Sequence, residues 1–140
     1  MAYATGLGFR IYYEVEGQGP PLVLGHGGGD SLEMWRRSGY TDALKDDFQL
    51  ILLDFRGHGR SDRPQGASDH RTGMSDDVVA VLDSLGVARA HYLGYSAGAT
   101  AGFALGLRYA ERFQSLILGG MTPYAWPETM VKAVTISIDL

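Results

Sequence analysis

A chain of 140 residues, of which 45% are hydrophobic and 20% charged, has the composition of a globular domain with a substantial core. The formal net charge of −4 argues against nucleic acid or an anionic membrane surface as a partner. Cysteine is absent, which excludes disulfides and thiolate chemistry. The first residues contain neither a basic segment nor an apolar run, and no stretch approaches the roughly 18 apolar residues of a membrane span. We therefore expect a cytoplasmic protein.

Apolar runs with strand character alternate with helical patterns along the chain. A hairpin is predicted over residues 5–16. The later strands are short, continuous apolar runs of the type buried on both faces of a parallel sheet, and they lie at residues 22–24, 49–53, 90–93 and 115–118. Helical patterns occupy residues 30–37, 44–48, 75–85 and the segment after residue 98. This alternation indicates an α/β fold with a mostly parallel sheet and flanking helices.

The chain divides into a predicted core domain over residues 1–121 and a segment, 122–140, of ambiguous pattern. Met130, Val134 and Ile138 have helical spacing, whereas every second residue from Val134 to Leu140 is apolar, as in a strand. Both assignments remain open.

The stretch Gly94-Tyr95-Ser96-Ala97-Gly98 lies between a predicted strand and a run of small, helix-compatible residues. This is the G-x-S-x-G pattern in the strand–turn–helix context of a nucleophile elbow. Ser96 would occupy the tip of a strained turn, which only small neighbours such as Gly94 and Gly98 permit. The Ala97 N–H, at a helix N-terminus, is placed to stabilise an oxyanion. A turn of small residues without a chemical role is the alternative.

A second glycine-rich segment, His26-Gly27-Gly28-Gly29, follows the predicted strand at 22–24. Glycines allow the backbone to approach a ligand and to present its N–H groups without an intervening side chain. A flexible turn and a dinucleotide-binding fingerprint are the other interpretations. The fingerprint is disfavoured because Asp30 stands where its third glycine should be.

The histidines are predicted to have structural roles. His26 is expected to brace its own loop, His91 to be a core residue of a strand, and His70 to lie in a solvated loop. His58 or His70 would act as a catalytic base only in a rearranged fold. No two histidines have metal-ligand spacing, so no metal site is predicted.

Three segments together resemble the α/β-hydrolase superfamily, specifically its esterase, lipase and perhydrolase-like branch with a cap domain. They are the strand ending in His26-Gly27-Gly28-Gly29, the polar turn Asp54-x-Arg56-Gly57-His58-Gly59-x-Ser61, and the Gly94–Gly98 stretch. The resemblance spans residues 7 to 122 and implies an incomplete α/β-hydrolase fold of about the first six strands. Residues 122–140 would then start a cap or lid region or form a C-terminal tail. The polar turn is expected to be structural, with Arg56 tying it to carboxylates or carbonyls.

The resemblance also implies a site. Ser96 would be the nucleophile of a serine hydrolase acting on a small carboxylic ester or related acyl substrate. The N–H groups of Ala97 and Gly28 would form the oxyanion hole, and Gly28 is preferred to its neighbours because it follows the His-Gly pair. A supporting role in the two loops is implied for five residues, namely His26, Gly27, Gly29, Gly94 and Gly98. No cofactor is implied, and serine in place of aspartate disfavours epoxide-hydrolase and dehalogenase chemistry.

The sequence departs from the family pattern after the elbow. No histidine follows Ser96, and the only carboxylates that follow are Glu111, Glu128 and Asp139, none of them at a predicted strand end. Because a serine hydroxyl is a weak nucleophile without a histidine and an acid, we expect an incomplete catalytic site. A truncated gene, a chain completed by another polypeptide and a degenerate copy are the possible explanations. A non-catalytic binding or interaction module is the rival function.

The strand at residues 115–118 would form an edge of the sheet, although its sequence is typical of burial on both faces. A long apolar edge invites pairing with another chain. We therefore expect self-association or a complementing chain at this edge.

Overall fold

The computed structural model describes residues 2–65 and 73–121. Within these ranges the chain forms one six-stranded sheet flanked by four α-helices. The strands are β1 (Ala2–Gly6), β2 (Phe9–Glu16), β3 (Pro21–Gly25), β4 (Gln49–Leu53), β5 (Ala90–Tyr95) and β6 (Phe113–Gly119). The helices are α1 (Glu33–Arg37), α2 (Tyr40–Leu44), α3 (Met74–Leu85) and α4 (Ala97–Arg108), and a 3₁₀-helix (Ala110–Arg112) precedes β6.

The strands lie in the order β1-β2-β4-β3-β5-β6. The β1–β2 and β2–β4 pairs are antiparallel, whereas β4, β3, β5 and β6 run parallel to one another. Helices connect the parallel strands, as a crossover between parallel neighbours requires. The prediction of an α/β fold with a mostly parallel sheet of six strands is therefore confirmed. The carboxyl ends of β3, β4, β5 and β6 lie at the same end of the sheet.

Side chains of the central strands enter two apolar clusters, one on each face of the sheet. Val23 and Ile51 pack in a cluster with α3 and with Leu105 of α4. Leu24 packs in the other cluster with Trp35 of α1. Burial on both faces explains why these strands consist of continuous apolar runs.

Several element boundaries differ from the sequence prediction, among them those of the hairpin and of the second helix. The hairpin starts at Ala2, because β1 pairs with β2 over all five of its residues. The second helix ends at Leu44, where the prediction had it near residues 44–48. Gly39, with φ 83°, allows α2 to follow α1 almost directly, and Phe48 packs against the core from a loop.

β6 is an outer strand of the sheet, as predicted, but it is less buried than its apolar sequence indicates. Phe113 is its one buried residue, and Ile117 exposes 57% of its surface. Full burial requires a strand on each side and a layer on each face. Among the described residues β6 pairs with β5 alone, so its other edge has no strand partner there.

Several sequence predictions concern residues outside the described ranges. Residues 122–140, interpreted as a cap or tail, and the loop that contains His70 belong to this group, so the domain boundary at residue 121 stays a prediction. Among the residues that are described, no helix has the length and apolar character needed to cross a membrane. Over the same part of the chain, no group of three histidine, aspartate or glutamate side chains is arranged to hold a metal ion. The cytoplasmic location also stays a prediction.

Candidate active site

The bend after β5 holds Ser96 in a backbone conformation that few non-glycine residues adopt. β5 ends at Tyr95, α4 begins at Ala97, and Ser96 between them has φ 53° and ψ −112°. Such a conformation costs on the order of 1–3 kcal/mol and persists only where the surrounding structure enforces it. The strand–turn–helix context predicted from the G-x-S-x-G pattern is present, with Ser96 at its tip.

Two glycines allow α4 to approach the sheet closely at this bend. A Cβ atom at Gly94 would overlap the carbonyl oxygen of Gly98, and a Cβ atom at Gly98 would overlap the carbonyl oxygen of Gly25 in β3. Both obstacles are backbone atoms, which cannot rotate aside as a side chain can. The motif therefore needs glycine at both positions for a steric reason.

Backbone and side-chain hydrogen bonds hold the bend in place. The Ser96 N–H donates to the Gly119 carbonyl at the end of β6 (2.8 Å), and the Ser96 carbonyl accepts from the Thr100 N–H in α4 (3.0 Å). The buried Tyr92 hydroxyl donates to the Gly98 carbonyl (2.6 Å). Burial raises the pKa of Tyr92, so this hydroxyl keeps its proton at neutral pH. The Ser96 hydroxyl makes no hydrogen bond to another described residue.

The glycine loop at residues 26–29 lies beside the bend, because β3 and β5 are parallel neighbours. A methyl group placed on Gly27 would lie 3.6 Å from Cβ of Ser96. One placed on Gly28 would lie 3.6 Å from Cβ of Ala97. The fold thus brings the predicted nucleophile and the two predicted oxyanion-hole residues together, at the exposed carboxyl end of the sheet.

His26 is fully buried and uses both ring nitrogens inside the protein. Its Nε2 is 3.1 Å from the Phe55 backbone nitrogen, and its Nδ1 is 2.7 Å from the Gly27 carbonyl oxygen. Because a backbone N–H can only donate, Nε2 is the acceptor and Nδ1 carries the proton. Burial lowers the pKa of His26, which keeps the ring neutral. His26 therefore braces the glycine loop and is engaged through both of its nitrogens.

The polar turn after β4 ties three elements together. The Asp54 carboxylate accepts from the Leu32 N–H at the start of α1 (2.7 Å) and from the Arg60 N–H (3.0 Å). Arg56 pairs with Asp77 of α3 at 2.6 Å, with both side chains at most 2% exposed. The prediction that Arg56 ties this turn to a carboxylate is confirmed. The contact from Asp54 to α1 was not predicted.

His58 has a contact that the sequence analysis missed. Its Nε2 accepts from the Gly29 N–H (3.0 Å), and its Nδ1 lies 3.0 Å from the Arg56 carbonyl oxygen. The ring stands edge-to-face against His26, with 5.0 Å between centroids. The partners His58 and Gly29 are 29 residues apart, so no local pattern could have revealed the bond.

No histidine in the described part of the chain contacts the Ser96 hydroxyl. The two loop histidines are engaged as described above. His91, near the start of β5, lies away from the bend, with its Nδ1 2.6 Å from Oγ of Ser115. Glu111 is exposed in the 3₁₀-helix. The other candidates from the sequence lie outside the described ranges, namely His70, Glu128 and Asp139.

An apolar cavity of about 370 Å³ lies beside the ends of β5 and β6. Its lining includes Trp35 and Tyr40 from the helical side and Tyr95 and Ile117 from the strands. Ser96 and the glycine loop do not line it. The cavity is nevertheless adjacent to the bend, because Gly94, Tyr95 and Gly119 line it, and it extends along Ile117 of β6.

The chain is similar to a known protein family and to individual hydrolases. The family model described as the alpha/beta hydrolase fold matches residues 20–136. Over 118 residues, the chain is 39% identical to the protein named "Putative carbamate hydrolase RutD" of Azorhizobium caulinodans. That match covers 84% of this chain and 43% of the relative.

Solved structures show the same partial coverage. A hydrolase from Pseudomonas aeruginosa matches with a TM-score of 0.78 and 34% identity, over 89% of this chain and 48% of the other. The enol-lactonase from Burkholderia xenovorans matches with a TM-score of 0.78 and 31% identity, over 89% and 50%. The chain thus spans about half the length of these relatives.

Proposed function

Because the chain belongs to the α/β-hydrolase fold family, we propose that it provides the nucleophile and the oxyanion hole of a hydrolase for a carboxylic ester or related acyl compound. The relatives described above carry the names of hydrolases and of a lactonase, which supports hydrolysis as the reaction class. Serine at the bend supports an acyl-serine intermediate, since a serine hydroxyl attacks carbonyl carbon.

The observation that carries the proposal is the strained Ser96 at the start of α4, with the glycine loop alongside and Gly28 next to Ala97. Oγ of Ser96 attacks the carbonyl carbon of the substrate, a base takes the hydroxyl proton, and the carbonyl electron pair moves to oxygen. Ala97 opens α4, so its N–H has no acceptor within the helix and lies at the positive end of the helix dipole. Together with the Gly28 N–H it binds the oxyanion.

The intermediate then collapses to the acyl-serine. The bond between the carbonyl carbon and the leaving oxygen breaks, and that oxygen takes up a proton as it departs. Water attacks the acyl-serine in the second half of the reaction and releases the acid. Each half needs a proton acceptor, and removal of the histidine from a serine protease costs about 10⁶ in kcat.

We place the base and the acid in polypeptide outside these 140 residues, docked at the unpaired edge of β6. Three observations support this placement. The chain spans about half of its relatives, no described imidazole contacts Ser96, and β6 presents an edge without a strand partner among the described residues. The proposed occupant of the adjacent apolar cavity is the same polypeptide, the remaining half of a hydrolase, which would also cover Ile117.

A non-catalytic module that keeps the pocket is the second candidate. The specific observation in its favour is that both loop histidines have their ring nitrogens occupied, which leaves Ser96 without an imidazole in the described part of the chain. Such a module would bind an acyl compound at the exposed end of the sheet without turning it over.

A fluorophosphonate probe separates the two candidates. We expect slow labelling of the 140-residue chain that disappears in Ser96→Ala, because the oxyanion hole still assists attack on phosphorus. Thr5→Ala, which removes an exposed hydroxyl from β1, is the control and should label like the parent. A folded parent that stays unlabelled at high probe concentration would favour the module.

A complementation experiment tests whether another polypeptide supplies the base and the acid. The chain would be co-expressed with the part of the Pseudomonas aeruginosa hydrolase that the match does not cover, and hydrolysis of a chromogenic ester would be measured. We expect a gain of at least about 10³ over the separate halves, because a histidine and an acid then reach Ser96. A complex that forms and yet shows no gain dependent on Ser96 would contradict the placement.

A further inference from the structure

We infer that His26 and His58 are positioning residues, which together aim the Gly28 N–H at the oxyanion by fixing the two peptide planes on either side of Gly28. This inference rests on the proposed function, in which Gly28 is an oxyanion donor. It assigns a task in the reaction to two histidines that do not touch the substrate.

The first plane is fixed through the Gly27 carbonyl. That oxygen accepts from the ring Nδ1–H of His26 (2.7 Å) and from the Asp30 N–H (3.3 Å). The Gly27 carbonyl and the Gly28 N–H belong to one planar trans peptide unit and point in opposite directions. Holding the oxygen therefore sets the direction of the Gly28 N–H, and donors on the oxygen polarise the peptide and make its N–H a better donor.

His26 can perform this task because its other nitrogen is anchored. Nε2 accepts from the Phe55 N–H, which directs the Nδ1 proton toward the glycine loop. The anchor lies just beyond β4, a strand fully buried from Leu50 to Leu53. The rigid centre of the sheet thus sets the orientation of a loop at its exposed end.

The second plane is fixed through the Gly29 N–H, which donates to Nε2 of His58 (3.0 Å). The other ring nitrogen of His58 faces the Arg56 carbonyl, which can only accept, so Nδ1 carries the proton here as well. Gly29 has φ 77°, a value that glycine adopts without strain. Gly28 thus lies between two peptide planes that hydrogen bonds hold in place. Its own N–H has no acceptor among the described residues.

The two histidines present different nitrogens to the loop, which allows a crossed test. Asn places its amide nitrogen near the position of Nδ1, and Gln places its amide oxygen near the position of Nε2. At position 26 the contact to the loop is made by Nδ1, so His26→Asn, which keeps this donor but loses the anchor to Phe55, should retain more of the function than His26→Gln. At position 58 the contact to the loop is made by Nε2, so His58→Gln should keep the function and His58→Asn should lose it.

The rate of fluorophosphonate labelling at Ser96 in the 140-residue chain is the functional measurement. We expect His26→Gln and His58→Asn to slow labelling by about 10- to 100-fold, below the 10²–10³ expected for complete loss of an oxyanion donor. His58→Gln should stay within about threefold of the parent, since it keeps the hydrogen bond to the loop, and His26→Asn, without the anchor to Phe55, should lie between the parent and His26→Gln. His91→Asn, remote from the bend, is the control for loss of a histidine.

NMR of the parent chain tests the same geometry without any reaction. We expect ring ¹⁵N shifts that place the proton on Nδ1 in both histidines, and a Gly29 amide that is protected from exchange and loses protection in His58→Asn. A proton on Nε2 of either ring would overturn the inference, as would Asn and Gln variants that slow labelling equally. If the folded parent is never labelled, the proposed function fails, and the tautomers and the Gly29 exchange still decide this inference.

Discussion

The bend after β5 and the outer edge of β6 are neighbours, joined by the hydrogen bond from Ser96 to Gly119, but they differ in how completely they are built. The bend is held by backbone bonds, by Tyr92 and by glycines that admit no side chain. The edge leaves Ile117 more than half exposed. The described part of the chain therefore preorganises the bend, while the edge of β6 is where we propose that another polypeptide docks.

The largest expected effect comes from breaking the close approach at the bend. Gly98→Ala should lower the free energy of unfolding by about 3 kcal/mol or more, because the new methyl group meets the Gly25 backbone. Urea denaturation measures the change. Gly119→Ala is the matched control on β6, where an added Cβ has no atom within 4 Å, and it should change the free energy by less than about 0.5 kcal/mol. Equal losses of stability in Gly98→Ala and Gly119→Ala would contradict the steric explanation.

A smaller effect should appear as a pH dependence through His26. Burial lowers its pKa in the folded chain below the value of about 6.5 expected when unfolded. The stability from the neutral ring is thus complete above pH 6.5 and is lost as the pH falls through 6.5 toward the folded pKa. The charged or titratable groups that act on the ring are His58, Asp54 and Asp30.

Denaturation curves at pH 7.5 and 5.5 test this dependence. We expect the free energy of unfolding to fall by at most about 1.4 kcal/mol per pH unit from this one group. His26→Asn should flatten the dependence, and His91→Asn is its control. A parent whose stability rises on acidification over this range would contradict the assignment of a neutral, buried ring.

The backbone strain at Ser96 should affect the free energy of unfolding. Ser96→Gly should raise the free energy of unfolding by about 1 kcal/mol, since the strain of 1–3 kcal/mol is relieved and partly offset by the flexibility of glycine. Ser96→Ala keeps the Cβ and the strain, so it should show no such gain. Both variants should lose probe labelling. If Ala stabilises as much as Gly, the effect does not arise from the backbone.

The smallest effect on stability is expected at the edge, where association is the measurement. Ile117→Lys should change the free energy of unfolding by less than about 0.5 kcal/mol and should reduce self-association in size-exclusion chromatography with light scattering. Leu7→Lys, in the exposed turn between β1 and β2, is the control and should leave association unchanged. A parent that is a compact monomer at all concentrations would contradict the interpretation of the edge.

The sequence predicted those features that have a local cause. The alternation of elements, the bounds of β4 and the bend at Ser96 all follow from periodicity or from a motif with a steric reason. The contacts from His58 to Gly29 and from Asp54 to Leu32 could not be predicted, because they join loops more than 20 residues apart. The position of β6 at an exposed edge was predicted, whereas the exposure of each of its side chains was not, since an apolar pattern shows which residues a strand can bury and not what covers them.

The presence of serine and not glycine at position 96 has an energetic consequence. Glycine would adopt the backbone conformation of this bend at lower energy than serine does. In a copy of the protein that no longer catalyses a reaction, no selection would oppose replacement of the serine by glycine. We therefore expect a decayed copy to shed this residue early. The strained conformation of this serine is a disadvantage that the proposed role of its hydroxyl as a nucleophile would explain.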